Sequence, residues 1–374
     1  MAESRLKTTS SDISRFSGER LASLDALRGF DMFWIIGADA LMESLRKISD
    51  KGWVVKLANQ FDHVDWEGFV FYDLIFPLFV FIIGVSLVFS LDGTIAQRGK
   101  VAAHVRILRR SILLFLLGVF YDEGVAMIHE ENVLCGVLQR LALCYFFTSL
   151  LYCHFKLRGL IVAFFVLIIG YWALLSFVPV PGTGQVSFER DKNWAHYIDS
   201  KTPPYHDSDP EGYLSTFPAV GSCLLGVFAA LLVKNNALSN SKKFLYLLAA
   251  GIILVVAGYA WGLQFPIIKR LWTSSYVLVA GGYSCILLSV FYLIVDIWKF
   301  RIWARPFIWI GMNSLTIYLV TNIVDFHDLA ERFVGGDVAV ACGRYSELVT
   351  TVVSLALCLL VVRFLYRKQI FLRV

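Results

Sequence analysis

Ionisable and amide side chains recur in this sequence inside stretches that are otherwise apolar, and their spacing suggests chemistry. His63 stands in the run His63-Val64-Asp65-Trp66-Glu67-Gly68, ahead of Asp73 and Pro77. A carboxylate near an imidazole can hold one tautomer and stabilise the protonated form, which suits His63 to general-base or nucleophilic work. Asp25, Arg28 and Asp31 step by three, which predicts one shared helix face and mutual pairing. Such a set serves either as an ion network at a helix end or as a site where Arg28 meets a phosphate-bearing ligand. Asp39 follows without a neighbouring cation, as a site carboxylate would. Gln139-Arg140 interrupts another apolar run, and an Arg at that depth needs a partner, for which Asp73 is a candidate. Asp209-Pro210-Glu211-Gly212 reads as a helix N-terminus, with acids favoured by the dipole and Pro in the first turn. Gly311-Met312-Asn313-Ser314 places small and amide groups mid-run, where they serve close packing or a ligand alike.

The elements that hold these residues are apolar helices. Hydrophobic residues make up 57% of the 374-residue chain and charged residues 17%, with a mean hydropathy of +0.66. Soluble domains carry roughly 25% charged residues. Residues 160–181, 213–233, 244–263, 272–295 and 306–324 are each nearly free of charge and of membrane-crossing length. The runs are continuous rather than alternating, which excludes a transmembrane β-barrel. The predicted architecture is all-α and integral to the membrane. It is a polytopic bundle of about ten helices, at 21–45, 69–91, 105–121, 133–153, 159–179, 213–233, 244–263, 272–295, 306–324 and 348–366.

An even number of crossings puts both termini on one side. With that side cytoplasmic, 21 Lys and Arg fall inside and 11 outside, while Arg28 and Arg140 lie within helices. Residues 1–20 then form a cytoplasmic tail without the apolar core of a signal peptide. Residues 21–374 form one transmembrane domain with external loops 46–68, 180–212 and 325–347. The seven cysteines show no disulfide pattern, and six sit in apolar runs as small hydrophobes. There is no phosphate-binding glycine loop, no ligand-spaced Cys or His pair for a metal, and no basic surface for nucleic acid.

Six motifs in order carry a resemblance. They are Arg20-Leu21-x-Ser23-Leu24-Asp25-x-x-Arg28-Gly29-Phe30; His63-x-x-Trp66-x-Gly68 leading into Asp73-Leu74-x-Phe76-Pro77; and Val137-Leu138-Gln139-Arg140-Leu141. Asp209-Pro210-Glu211-Gly212, Leu271-Trp272-x-x-Ser275-Tyr276 and Gly311-Met312-Asn313-Ser314 complete the set. Together they resemble the heparan-α-glucosaminide N-acetyltransferase family and its bacterial relatives. The resemblance implies transfer of an acetyl group from cytoplasmic acetyl-CoA to the amine of a terminal glucosamine, or a related amino sugar, on the far side. It places the family's active-site histidine at His63. The family's asparagine near the end of the first helix falls on Asp39, a departure that replaces an amide donor by a carboxylate.

On that reading His63, Asp39 and Asp73 are the catalytic candidates, with no metal. Arg28, Arg109, Arg140, Arg305, Asn313 and Ser314 would hold acetyl-CoA, its phosphates meeting the basic cytoplasmic rim of Arg28, Arg106, Arg109, Arg110, Lys299, Arg301 or Arg305. Trp66, Glu67, Asp209, Glu211 and Trp272 would meet the acceptor. The expected partners are a glycan acceptor and the lipid bilayer, with a homodimer allowed. The expected location is a bacterial cytoplasmic membrane, with the site opening to the periplasmic side. A sugar O-acyltransferase on the same helices and a small-solute transporter are the alternative readings.

Overall fold

The computed structural model describes residues 21–49, 51–122, 136–202 and 212–372. Asp209, Glu211 and the N-terminal tail lie outside them. Among the described residues the regular structure is helical, without a strand, and each of the ten predicted segments contains a helix. Six stretches are long and apolar enough to cross a membrane: Phe71–Tyr121, Leu157–Phe177, Thr216–Lys234, Asn240–Gly262, Ser274–Ile297 and Asp337–Arg367.

The first helix is broken. α1 (Ala22–Phe33) passes through a wider π turn, Trp34–Ala38, into α2 (Asp39–Ile48). Gly37 sits in that turn at φ 112°, a conformation open to glycine. α3 (Gly52–Ala58) and a single 3₁₀ turn (Phe71–Leu74) lead into α4 (Ile75–Asp122). α4 holds two of the predicted spans. A straight helix of 48 residues would run roughly 72 Å, far beyond a hydrocarbon core. Gly99 at φ 79° interrupts it. Arg106 Nη1 then donates a 2.6 Å hydrogen bond to Thr94 Oγ1, residues that a straight helix would hold about 18 Å apart. The two arms, 75–98 and 100–122, therefore fold back on each other at Gly99.

α5 (Val137–His154), α6 (Leu157–Phe177), the short α7 (Trp194–Asp199), α8 (Thr216–Lys234) and α9 (Asn240–Gly262) follow. α10 (Ser274–Phe291) ends in a π segment, Tyr292–Ile297, and α11 (Arg305–Met312) and α12 (Ser314–Ile323) meet at Asn313. α13 (Phe326–Val334), α14 (Asp337–Cys342) and α15 (Ser346–Arg367) complete the chain. α6 and α9 turn most of their residues outward, with Phe165, Val166, Ile253 and Val256 exposed, as lipid-facing helices do.

Close backbone crossings at glycines set the core. A Cβ on Gly29 would stand 1.7 Å from the Phe307 carbonyl oxygen, and one on Gly311 1.9 Å from that of Asp25. Gly84 and Gly226 meet in the same way between the first arm of α4 and α8. Small residues at a helix crossing let backbones touch where lipid offers no hydrophobic drive. The first crossing fastens α1 to α11, and so sets Arg28 beside the α11–α12 break.

Two sequence expectations are corrected. Arg28 pairs with Asp25 at 3.3 Å, but Asp31 does not join them. Its carboxylate is fully buried, with neither oxygen hydrogen-bonded among the described residues. Each three-residue step falls about 60° short of a full turn, so Asp31 lies about 120° around the helix from Asp25. Arg140 does not pair with Asp73. Its guanidinium donates to the Gly212 carbonyl at 2.8 Å and Ser215 Oγ at 2.7 Å, and lies over the Trp272 ring. The six described cysteines are free.

Candidate active site

His63 is held in a loop by backbone pairing. Glu67 bridges Ile268, and the Gly68 N–H donates to the Ile267 carbonyl at 2.9 Å. This draws the 63–68 loop against the turn that precedes α10. That turn is itself fastened. The Ile268 N–H donates to Thr273 Oγ1, Tyr171 Oη to the Leu271 carbonyl, and Trp272 Nε1 to Ser222 Oγ. Trp272, fully buried, takes φ 51°. Left-handed backbone is costly for a bulky side chain and persists only where the surroundings impose it.

The result is a cluster of three ionisable groups. His63 Nδ1 lies 2.8 Å from Asp73 Oδ1, and Lys269 Nζ lies 3.4 Å from that same oxygen. Asp73 Oδ2 accepts the Val70 N–H at 3.3 Å. The carboxylate side chain is 2% exposed and the imidazole 52%. With Asp73 ionised, Nδ1 carries the proton it donates, which leaves the Nε2 lone pair open for a substrate. The Tyr72 ring packs against the imidazole at a centroid distance of 4.8 Å, and its hydroxyl donates to Asp39 Oδ2 at 2.8 Å. Asp39 therefore reaches His63 through Tyr72.

A cavity of about 620 Å³ opens at this cluster. It follows one face of the first arm of α4 through Ile75, Phe79, Ile83 and Ser86, a path of roughly 16 Å at 1.5 Å per residue. Its far part is basic. Arg28 reaches Ser86 Oγ at 2.6 Å, and Arg106 and Arg110 enter from the second arm. Among the described residues no carboxylate lines it, against the five cations Arg28, Arg106, Arg110, Lys269 and Arg270. Arg110 Nε and Asn313 Oδ1 are buried polar atoms without a hydrogen-bond partner in its wall. Such atoms are normally satisfied, and a polar ligand would satisfy them.

Of the residues singled out by sequence, His63, Trp66, Arg28, Asn313 and Ser314 line this cavity, and Asp73 and Asp39 stand behind it. Arg109, Arg305 and Glu67 are exposed and do not line it; Arg140 and Trp272 are buried and support the neighbouring turn instead. Lys269, Arg270 and Tyr72 were missed. The only sequence trace of the first two is a pair of loop cations just before the Leu271-Trp272 motif.

A sequence model described as the catalytic region of heparan-alpha-glucosaminide N-acetyltransferase matches residues 20–259. The chain belongs to this family. The matched segment contains His63, Asp73, Arg106 and Arg110, and ends before Lys269 and Asn313. The mouse heparan-alpha-glucosaminide N-acetyltransferase is 28% identical over 422 aligned positions, covering 96% of this chain and 61% of the relative. The human one is 28% identical over 417 positions, covering 94% and 59%. The chain thus spans about three fifths of the length of these relatives.

Proposed function

We propose that this protein is a transmembrane N-acetyltransferase. It takes the acetyl group of acetyl-CoA from the cytoplasm and passes it to the amine of a terminal glucosamine, or a related amino sugar, on the outer face. The cavity between the arginines and His63 is the observation that carries this reading. Phosphate groups suit Arg28, Arg106 and Arg110, which offer forked donors at one end. The apolar wall of Ile75, Phe79 and Ile83 suits an extended pantetheine arm. The thioester then reaches His63 and Lys269 at the other end.

His63 serves as general base toward the amine, or as a nucleophile that first carries the acetyl group. Asp73 orients the ring and balances the imidazolium that forms in either case. The ten crossings, the cytoplasmic termini and the single transmembrane domain from residue 21 belong to the same proposal. So does a bacterial cytoplasmic membrane with the histidine end facing the periplasm. The excess of Lys and Arg on one set of loops supports this orientation.

The test is acetyl-CoA consumption by purified protein with glucosamine or N-acetylglucosamine as acceptor, for wild type and His63→Asn. Glucosamine-dependent turnover that the variant loses is expected. Equal turnover with the two sugars would point to a hydroxyl acceptor, and a fully active variant would remove His63 from the reaction.

A further inference from the structure

Lys269 lies 3.1 Å from His63 Nδ1 and 3.4 Å from Nε2 through its Nζ atom. The two ring nitrogens flank a single carbon. A point this close to both, and in the ring plane, would collide with that carbon. Nζ therefore stands over the face of the imidazole and leaves the in-plane lone pair of Nε2 uncovered. The ammonium is not a solvent-facing surface charge, since its side chain is 20% exposed and it contacts the buried Asp73 carboxylate. The backbone on either side is fixed by the pairing with residues 67–68, by the Thr273 and Tyr171 hydrogen bonds, and by the left-handed Trp272.

We propose that Lys269 is a catalytic residue, whose ammonium stabilises the oxyanion formed when the thioester carbonyl is attacked. This rests on the acetyltransferase reading of the site. Both routes open to His63 pass through a tetrahedral adduct. In one, Nε2 adds to the carbonyl carbon; in the other, the acceptor's neutral amine adds while Nε2 takes its proton. In each the carbon–oxygen π pair moves onto oxygen. The adduct collapses as the carbon–sulfur bond breaks and the pair returns to re-form the carbonyl. The leaving CoA thiolate takes a proton, from His63 where it has acted as base and from solvent where it has acted as nucleophile. In the second case the acceptor amine then adds to the acetyl carbon, the carbon–Nε2 bond breaks, and the freed Nε2 takes the amine's proton.

Substituents on an adduct at Nε2 project off the ring plane, and Nζ is the cation standing on one of its faces. A fixed positive donor at the point where negative charge develops lowers the barrier without reorganisation. Removing one such donor typically costs about 10²–10³ in kcat. Lys269 also balances the Asp73 charge, so two variants are needed to separate the roles.

The experiment compares wild type, Lys269→Met and Lys269→Arg in steady-state acetyl transfer, with acetyl-CoA affinity measured directly by calorimetry. The expected result is a fall in kcat of about 10²-fold or more for Lys269→Met, with acetyl-CoA affinity within about twofold of wild type. Lys269→Arg should recover at least tenfold over Lys269→Met, because a cation on that face is retained. If Lys269→Met turns over within threefold of wild type, Lys269 is not catalytic, while the acetyltransferase reading stands. If Lys269→Met and Lys269→Arg are equally slow and both lose acetyl-CoA affinity, the lysine is structural and the inference falls. If wild type transfers no acetyl group to any amine or hydroxyl acceptor, the underlying reading falls with it.

Discussion

His63 Nδ1 lies 2.8 Å from Asp73 Oδ1, a half-exposed imidazole against a buried carboxylate. The pairing fixes which ring nitrogen faces the cavity. Asp73→Asn keeps the shape but allows the amide to donate to the ring, which favours the other tautomer and turns the lone pair away from Nε2. Acetyl transfer should fall by about 10²–10⁴ in kcat, with acetyl-CoA affinity unchanged. Turnover within tenfold of wild type, measured on purified protein, would show that Asp73 does not set the tautomer.

Tyr72 links Asp39 to the histidine, by a 2.8 Å hydrogen bond on one side and ring contact on the other. Hydrogen bonds to charged groups contribute about 1.5–3 kcal/mol. Tyr72→Phe should therefore lower thermal stability and activity together. Asp39→Asn retains an acceptor oxygen for the phenol and should keep activity within about tenfold, the difference between a charged and a neutral acceptor. A double-mutant cycle on thermal stability checks this. Additive effects of Tyr72→Phe and Asp39→Ala would mean that the hydrogen bond carries no coupling.

Much of this was legible from the sequence, and the omissions have physical causes. Runs of about twenty apolar residues located the helices because the bilayer thickness leaves little choice. The reversal between the spans at 69–91 and 105–121 was legible as well, but not its place at Gly99, since the helix continues well past the apolar run into polar residues up to Arg98. His63 and Asp73, ten residues apart, stood out as a dense polar stretch. Lys269 is 206 positions from His63 and meets it only because an isolated backbone bridge joins two loops. Arg140 was misassigned for a related reason. Its acceptors are a backbone carbonyl and a hydroxyl, which no charge pattern reveals.

The Gly29–Gly311 crossing makes a stability prediction. Gly311→Ala would press a methyl group 1.9 Å from the Asp25 carbonyl oxygen, so α1 and α11 must separate. Overpacking of this kind costs about 1–3 kcal/mol, and the thermal midpoint in detergent should drop by several degrees. Gly170→Ala in α6 is the control, because nothing lies within 4 Å of its added methyl. It should be neutral or slightly stabilising, since Ala favours helix by up to about 1 kcal/mol. Equal midpoints for the two variants would show that the crossing is looser than its geometry.

Arg106 and Arg110 make the sharpest test of ligand orientation, because they act on a part of acetyl-CoA that takes no part in the chemistry. Arg110 has an Nε atom without a hydrogen-bond partner, packs over Tyr145 and lines the cavity; Arg106 is anchored on Thr94. Loss of one charge-assisted contact to phosphate costs about 1.5–3 kcal/mol, or roughly 10–150-fold in affinity. Arg110→Ala should raise the KM for acetyl-CoA by that order and leave kcat within about threefold. The effect must vanish with S-acetylpantetheine, which has the thioester and the arm but no phosphate. A KM for S-acetylpantetheine that rises as much as that for acetyl-CoA would mean that Arg110 shapes the cavity rather than binding phosphate. The basic end would then need another occupant.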